Sequence, residues 1–264
     1  MQEWNDGCVA KVVVFDSGFG SLSITKAIQK ITRAEIIYFA DQKHFPYGKK
    51  SKHHLKKIIT NTINMLKKKF NPDLIVIGSN TPSLLLGKIN SSKILNVLPP
   101  LKQATKISKT SSIAILATRS VIRSTELENY IKKNQLSKRI KVKKIDASSL
   151  IELVESGKFI DNSKECKLKI KQLLGKQLIK QNVDVVTLSS THLPFLLPYL
   201  KKEFPNVKFI DPANEVAKKV SKKSFKKSSK RNTMKIFTSS NPQLFEKYLK
   251  KIGIRNKVSF LVSP

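Results

Sequence analysis

Short runs of consecutive apolar residues recur along the chain, and several of them end in small polar residues. The run Leu74–Ile77 is followed by GSNT (78–81), and the run 183–188 is followed by SSTH (189–192). Runs of this kind are typical of parallel strands buried on both faces. Because ligands of open parallel α/β sheets bind at the carboxyl ends of the strands, both polar clusters are candidates for a binding site.

The same reasoning predicts strands and helices that alternate along the whole chain, which is typical of parallel α/β layers. Further strands are predicted at 11–15, 35–40, 94–98, 113–118, 140–145, 207–210, 234–237 and 258–262. Helices are predicted at 22–31, 52–70, 121–134, 148–156, 166–180 and 242–252, with another after 211–214 that runs to 222.

The two halves of the chain repeat one arrangement, since a buried strand leads into Ser79 in one half and into Ser190 in the other, 111 positions later. We therefore predict an α/β fold of two similar parallel-sheet, flavodoxin-like lobes that face each other across a cleft. The polar stretch 107–112 is the expected crossing point. The predicted first lobe comprises residues 1–106 plus 213–264, and the second comprises 107–212.

Three residues stand out for their chemistry before any family is considered. Asp16, at a strand end, could act as a base or hold a ligand ammonium. The equal alternative is that it caps the start of a helix, a position that Asp favours. His192 follows a strand and is the best acid–base candidate among the histidines, with a structural role as the alternative. Tyr47 could project its hydroxyl into a cleft or rest on the core as a loop aromatic.

Several motifs in order along nearly the whole chain resemble the glutamate racemase family, within the aspartate/glutamate racemase superfamily. The family's patterns are matched by FDSGFG (15–20), YFAD (38–41), PYG (46–48), GSNT (78–81), AT (117–118), RS (123–124), LVESG (153–157), LSSTHLP (188–194) and IDPANEVA (210–217).

The resemblance implies a function that needs no cofactor and no metal: interconversion of L- and D-glutamate by one cysteine on each side of the α-carbon. Asp16 and His192 would assist the two cysteines, with Glu155 as a further helper. The small acidic amino acid, or a related carboxylate, would be bound by Asp16, Ser17, Pro46, Tyr47, Gly48, Asn80, Thr81, Thr118, Thr191 and His192.

The chain departs from the family where its motifs carry the two cysteines, because Ser79 and Ser190 stand there instead. Ionising a thiol at pH 7 costs about 2 kcal/mol, whereas a hydroxyl as weakly acidic as water costs on the order of 12 kcal/mol. Two interpretations stay open, so the sequence does not decide whether the protein is an enzyme. Asp16 and His192 transfer the proton directly, with the serines as hydrogen-bond partners, or the protein is a catalytically inactive ligand-binding or regulatory homologue.

The chain is strongly basic, with 51 Lys and Arg against 18 Asp and Glu, a formal net charge of +33 and a pI near 10.2. Such a surface attracts polyanions at low salt, so non-specific nucleic-acid binding is a third interpretation. The alternative is a lysine-rich composition spread over solvated helix faces. Basic clusters lie at 49–57, 67–69 and 218–231, with no recognisable nucleic-acid motif.

The sequence also indicates where the protein is located and whether its cysteines form a disulfide. No run of 18 apolar residues is present, so no transmembrane helix and no membrane partner are expected. The first residues lack the basic and apolar regions of a signal peptide, which predicts a cytoplasmic protein. Cys8 and Cys166 have no metal or redox spacing, and no disulfide between them is expected in a reducing compartment. A homodimer remains an open alternative.

Overall fold

The computed structural model describes residues 9–87, 91–134, 139–223 and 232–264. It contains strands β1 (Lys11–Asp16), β2 (Glu35–Ala40), β3 (Leu74–Ile77), β4 (Ile94–Asn96), β5 (Ser112–Ala117), β6 (Lys141–Asp146), β7 (Val185–Leu188), β8 (Lys208–Ile210), β9 (Thr233–Thr238) and β10 (Val258–Phe260).

Helices connect these strands. They are α1 (Leu22–Ile31), α2 (Lys52–Phe70), α3 (Asn80–Leu85), α4 (Leu101–Ile107), α5 (Arg119–Ile122), α6 (Thr125–Asn134), α7 (Ser148–Glu155), α8 (Lys158–Asp161), α9 (Ser163–Ile179), α10 (Leu197–Glu203), α11 (Ala213–Ser221) and α12 (Pro242–Lys251). Three short 3-10 turns lie at Gln42–His44, Tyr47–Lys49 and Leu193–Leu196.

The strands form two sheets, a six-stranded one ordered β10-β9-β2-β1-β3-β4 and a four-stranded one ordered β6-β5-β7-β8. The described strand pairs are all parallel. Both sheets contain the strand order second-first-third-fourth, and the first sheet adds β9 and β10 beyond β2. The predicted α/β class with two parallel-sheet units is therefore confirmed.

Strand β1 illustrates how the sequence builds these sheets. Its side chains alternate between the two faces of the first sheet, and both faces are covered. Val12 and Val14 belong to one core cluster, whereas Val13 and Phe15 belong to another that includes the apolar face of α2. The continuous apolar run in the sequence is thus the signature of a strand buried on both sides.

The long basic helix α2 forms where its 3.6-residue periodicity predicts it. Its apolar positions, including Leu55, Ile59 and Leu66, are buried, and its lysines are exposed. The Ser51 side chain accepts a hydrogen bond from the backbone N–H of His54 at the start of the helix. Helix α2 covers one face of the first sheet and leads directly into β3, which carries one of the two polar clusters at its end.

Two predictions about helices were wrong in detail. The predicted helix 121–134 is two helices, α5 and α6, because Ser124 interrupts it: its hydroxyl accepts a bond from the N–H of Leu127 and donates to the Val121 carbonyl oxygen. The short helix α4 was not predicted. Residues 78–83 were expected to form a loop before a helix with Pro82 in its first turn, and α3 instead begins inside that stretch, at Asn80. All six residues of α3 are buried, so no polar face marks in the sequence where it begins.

The two sheets share a hydrophobic core. One cluster of buried side chains contains Val12 and Val76 of the first sheet together with Leu116 and Leu188 of the second. Helix α11, which follows β8 in the chain, packs against α1 of the first sheet. The two units are consequently held in contact by apolar packing as well as by the polar groups of the cleft between them.

Candidate active site

A narrow cleft lies where the carboxyl ends of the first and third strands of each sheet meet. These are β1 and β3 in the first sheet and β5 and β7 in the second, and in each sheet the strand order reverses at that point. The cleft encloses about 30 Å³, room for two or three water molecules by the usual measure. It is lined by Asp16, Ser17, Phe45, Pro46, Tyr47, Gly48, Ser79, Asn80, Thr81, Thr118, Ile151, Ser190, Thr191 and His192.

The structure brings together both serines and all ten residues that the resemblance implied for substrate binding. Glu155 is not part of the cleft lining and lies behind His192. Sequence reasoning missed Phe45 and Ile151, two apolar residues that also line the cleft. Phe45 is adjacent to the PYG motif, whereas nothing in the sequence distinguishes Ile151 from the other core residues of α7.

Asp16 is buried, and its carboxylate accepts three hydrogen bonds from neighbouring donors. Oδ2 accepts hydrogen bonds from the hydroxyls of Ser21 and Thr191, at 2.6 and 2.7 Å, and Oδ1 accepts the backbone N–H of Ser17 at 2.7 Å. The bond from Thr191 joins the two sheets across the cleft. The N-cap interpretation of Asp16 is wrong, because α1 begins at Leu22 and Ser21 occupies its cap position.

Ser79 and Ser190 occupy equivalent places, each directly after the third strand of its sheet. Both are buried, and neither side-chain hydroxyl forms a hydrogen bond within the described part of the chain. Asp16 and His192, the two basic groups of the cleft, are instead bonded to other side chains. Within the described residues, therefore, no base holds the proton of either serine.

Asn80, the first residue of α3, is 3% exposed, yet neither its Oδ1 nor its Nδ2 has a hydrogen-bond partner among the described residues. A buried amide without partners costs about 1–3 kcal/mol. Asn80 lines the cleft, so a molecule bound there would supply the missing partners once the cleft opens around the buried amide. Thr81, the next residue, reaches across the cleft, where its Oγ1 lies 3.3 Å from the Oγ1 of Thr118.

His192 and Glu155 form a buried pair on the side of the second sheet, with Nε2 of His192 2.7 Å from Oε2 of Glu155. Burial lowers the pKa of His192, but the hydrogen bond and charge of Glu155, together with the charge of Asp16, outweigh it and raise the pKa above its usual value. The ring of Phe19 packs edge-on against the imidazole at a centroid distance of 5.6 Å. The cleft therefore has a cationic imidazolium over a wider pH range than free histidine provides.

Two glycines allow the loop after β1 to lie directly against these groups. A Cβ atom on Gly18 would be 2.6 Å from both carboxylate oxygens of Glu155. A Cβ atom on Gly20 would be 2.6 Å from Thr191 Oγ1 and 2.8 Å from His192 Nδ1. Real Cβ atoms do not approach other atoms so closely, so glycine is required at both positions for this packing.

Residues 41–50, which we call the cleft loop, cover the cleft from the first-sheet side. Tyr47 is buried and its hydroxyl donates to Asp41 Oδ2 at 2.9 Å. Burial raises the pKa of Tyr47 well above its usual value, and the charge of Asp41 raises it further. Tyr47 lines the cleft, but its hydroxyl is bonded to Asp41 and its ring lies in a core cluster, as the interpretation of a loop aromatic resting on the core predicted.

Other expectations lie away from the cleft. Cys166 is buried in α9, burial raises its pKa, and it does not line the cleft; Cys8 lies outside the described residues. The basic cluster 218–231 is described only as far as Lys223, and its remainder lies outside the described residues. In the described ranges, no group of three or more His, Cys, Asp and Glu side chains suits a metal ion. No helix in those ranges is long and apolar enough to cross a bilayer.

Comparison with known proteins supports the resemblance to the racemase family that the sequence motifs indicated. The family described as Asp/Glu/Hydantoin racemase matches residues 12–220. The chain is 31% identical over 214 residues to a glutamate racemase of Actinobacillus pleuropneumoniae serotype 5b, covering 79% of each chain. It is 33% identical over 215 residues to the glutamate racemase of Buchnera aphidicola subsp. Schizaphis graminum, covering 79% of this chain and 82% of that one.

Solved structures share the architecture. A glutamate racemase isoform of Bacillus anthracis superposes with a TM-score of 0.82 at 25% identity, covering 96% of this chain and 97% of that one. Glutamate racemase of Escherichia coli, in complex with L-glutamate and the activator UDP-MurNAc-Ala, superposes with a TM-score of 0.81 at 21% identity, covering 97% and 100%. At that identity the second comparison establishes the fold alone.

Proposed function

This chain belongs to the Asp/Glu/Hydantoin racemase family, and we propose that it is a glutamate racemase-like protein that binds a small acidic amino acid such as glutamate in the cleft. The observation that carries the proposal is Asn80, whose buried amide has no partner on either atom. Folded proteins rarely leave such a group unpaired without a ligand or water to satisfy it. Homologues whose structures were solved with L-glutamate or D-glutamate support this choice of ligand.

The polar groups of the cleft suit an amino acid with two carboxylates. The hydroxyls of Ser79 and Ser190 and the amide of Asn80 are unpaired and can donate to carboxylate oxygens. His192, whose pKa is raised by Glu155 and Asp16, adds an imidazole on the second-sheet side that stays protonated to higher pH than free histidine. Asp16 is an anion that can attract the ligand ammonium. Together these groups supply donors for the carboxylates and a counter-charge for the ammonium in a site that largely excludes water.

We further propose that the protein binds this ligand without two-thiol racemisation. The family motifs place Ser79 and Ser190 at the cysteine positions, and a hydroxyl becomes a useful nucleophile or base only when another group holds its proton. Neither serine contacts such a group, since Asp16 is occupied by Ser17, Ser21 and Thr191. The energetic gap between thiol and hydroxyl ionisation, on the order of 10 kcal/mol, then remains unbridged.

Calorimetry with L-glutamate, D-glutamate and L-aspartate tests the ligand. We expect binding by the native chain, weakened at least about tenfold in Asn80→Ala, which loses two hydrogen-bonding atoms. The stability of the unliganded Asn80→Ala variant should not fall, because the amide it removes is unpaired. Asn64→Ala, at an exposed position of α2, is the matched control and should leave binding unchanged. Absence of binding at millimolar concentrations of all three compounds would refute the proposal.

Exchange of the ligand α-proton in heavy water tests the chemistry. The native chain should exchange none, and the Ser79→Cys/Ser190→Cys variant should gain exchange if thiols are the missing groups. Exchange by the native chain would contradict the second proposal and would favour direct proton transfer by Asp16 and His192. One observation favours that alternative: His192 is paired with Glu155 at 2.7 Å and its pKa is raised.

A further inference from the structure

A fully buried carboxylate anchors the cleft loop, and it belongs to a residue that the family motif includes without an assigned role. Asp41 is 0% exposed, and four side chains contact its two oxygens. Tyr47 Oη and His44 Nδ1 each lie 2.9 Å from Oδ2, and Ser263 Oγ and Ser239 Oγ lie 2.6 and 3.3 Å from Oδ1. Two donors come from the loop itself and two from distant parts of the chain.

No lysine or arginine of the described residues forms an ion pair with Asp41. Its ion-pair partner in the described residues is His44 Nδ1, at 2.9 Å, which carries a charge only when the imidazole is protonated. The buried carboxylate therefore depends on hydrogen-bond donors for its stability, and loss of any one leaves lone pairs unsatisfied. The hydroxyl of Ser263 makes the shortest of these contacts. The hydrogen bond from Ser263 to Asp41 therefore links residues 261–263, which follow β10, to the cleft loop.

A second set of contacts fastens the same two segments together. The Nζ of Lys43 donates to the Ser263 carbonyl oxygen at 3.0 Å, and the backbone N–H of Lys43 donates to Ser239 Oγ at 3.0 Å. Leu261 is buried in the same core cluster as Tyr47, and its N–H donates to the Thr238 carbonyl oxygen at 2.9 Å. The segment is thus fixed by its backbone, its apolar side chain and its hydroxyl.

The anchored loop controls the cleft because its far end forms part of the lining. Tyr47 and Gly48 line the cleft, and a Cβ atom on Gly48 would lie 3.2 Å from Ser120 Oγ of the second-sheet unit. The enclosed space of about 30 Å³ holds only a few water molecules, so an amino acid enters only if the cleft widens, and the cleft loop is one of the segments that border it. Whatever holds the loop then sets how readily the cleft opens.

We propose that Ser263 is a positioning residue that holds the cleft loop closed through Asp41, so that residues 261–263 act as a clasp on access to the ligand site. The effect on ligand kinetics rests on the proposed function, whereas the effect on the loop does not. The Ser263 hydroxyl does not line the cleft and contacts Asp41 and His44 of the cleft loop, at 2.6 and 3.3 Å. Its removal should therefore change how often the loop opens and leave the groups that contact the ligand in place.

Hydrogen exchange of the unliganded protein tests the clasp directly. The N–H groups of His44, Phe45, Lys49 and Lys50 form backbone bonds within the loop and report its opening. In Ser263→Ala their exchange should be about tenfold faster or more, equivalent to about 1.4 kcal/mol, while amides of α9 stay unchanged. Ser263→Cys keeps the shape with a weaker donor and should give a smaller increase.

The matched control is Ser259→Ala, four positions earlier, whose side chain is exposed and has no hydrogen bond in the described structure. It should leave loop exchange at the native rate. Unchanged loop exchange in Ser263→Ala would overturn the proposal. So would an increase shared equally by the loop and α9, since that would indicate global destabilisation without a specific effect on the loop.

Stopped-flow binding of L-glutamate extends the test to access. Ser263→Ala should raise both the association and the dissociation rate, because the closed state is less populated. A variant that dissociates faster but associates at the native rate would contradict control of entry. If the native chain binds no acidic amino acid, the proposed function fails, and the hydrogen-exchange measurement still decides whether the clasp exists.

Discussion

The contact between Gly18 and Glu155 can be tested by a single added methyl group. In Gly18→Ala the new Cβ would lie 2.6 Å from both oxygens of Glu155, whereas ordinary contact begins at 3.4 Å. The carboxylate is the mobile end of a side chain, so it must withdraw by about 0.8 Å before the backbone yields. A withdrawal directly away from His192 Nε2 lengthens the 2.7 Å bond to about 3.5 Å, the outer limit of a hydrogen bond.

The expected loss of stability follows from the hydrogen bond between Glu155 and His192. A hydrogen bond to a charged group contributes about 1.5–3 kcal/mol, so we expect the free energy of unfolding to fall by about that amount at pH 6. The pKa of His192 should fall at the same time, because Glu155 is the first of the groups that raise it. Urea unfolding measures the stability, and NMR titration of the imidazole signals measures the pKa.

A control with the opposite sign makes the result interpretable. Gly175 lies inside α9, where an added Cβ has only Lys171 Cγ within 4 Å, at 3.9 Å. Gly175→Ala should therefore stabilise the protein by up to about 1 kcal/mol through helix propensity. If Gly18→Ala leaves both stability and the His192 titration at native values, close packing of the loop does not position Glu155 and the reasoning is refuted.

Two further predictions concern charged side chains. Glu155→Gln should reduce stability more at about pH 5.5 than at about pH 9. The raised pKa of His192 stabilises the fold below the unfolded-state pKa near 6.5, and this contribution is lost as pH rises through the folded-state pKa. Equal losses of stability in urea at both pH values would contradict this. Asp184→Asn should cost about 1–3 kcal/mol near pH 7, because the Asp184 carboxylate accepts bonds from residues 108–110 that lower its pKa despite partial burial. That loss should disappear as pH falls below about 3.9 and through the lowered pKa that Asp184 has in the folded protein. The control is Asp161→Asn, which removes an exposed ion pair with Lys251 and should change stability by less than about 0.5 kcal/mol at pH 7.

Sequence patterns predicted the sheets well because strands buried on both faces require continuous apolar runs. The run Leu74–Ile77 is a strand with the bounds that its composition indicates. Helix boundaries were less predictable where polar residues are buried. Asn80 and Thr81 begin α3 and face the cleft, so they break the alternation of apolar and polar positions on which helix prediction relies.

The contents of the cleft were predictable only up to a point. Parallel strands bring their carboxyl ends together, so the polar clusters that contain Ser79 and Ser190 were expected to converge. The partner of Asp16 was not, since Thr191 lies 175 positions away and meets it only through the relative orientation of the two sheets. The bond between Asp41 and Ser263, across 222 positions, had no signal in the sequence.

The hydrophobic cluster that joins the two sheets has a consequence for how the molecule unfolds. Its members, such as Val12 of β1 and Leu188 of β7, come from both sheets, so pulling the halves apart exposes apolar surface on each. We expect a single cooperative calorimetric transition for the chain, in place of the two that independent domains would give. Either half produced alone would expose the hydrophobic surface that the other half covers, and such exposure favours aggregation over autonomous folding.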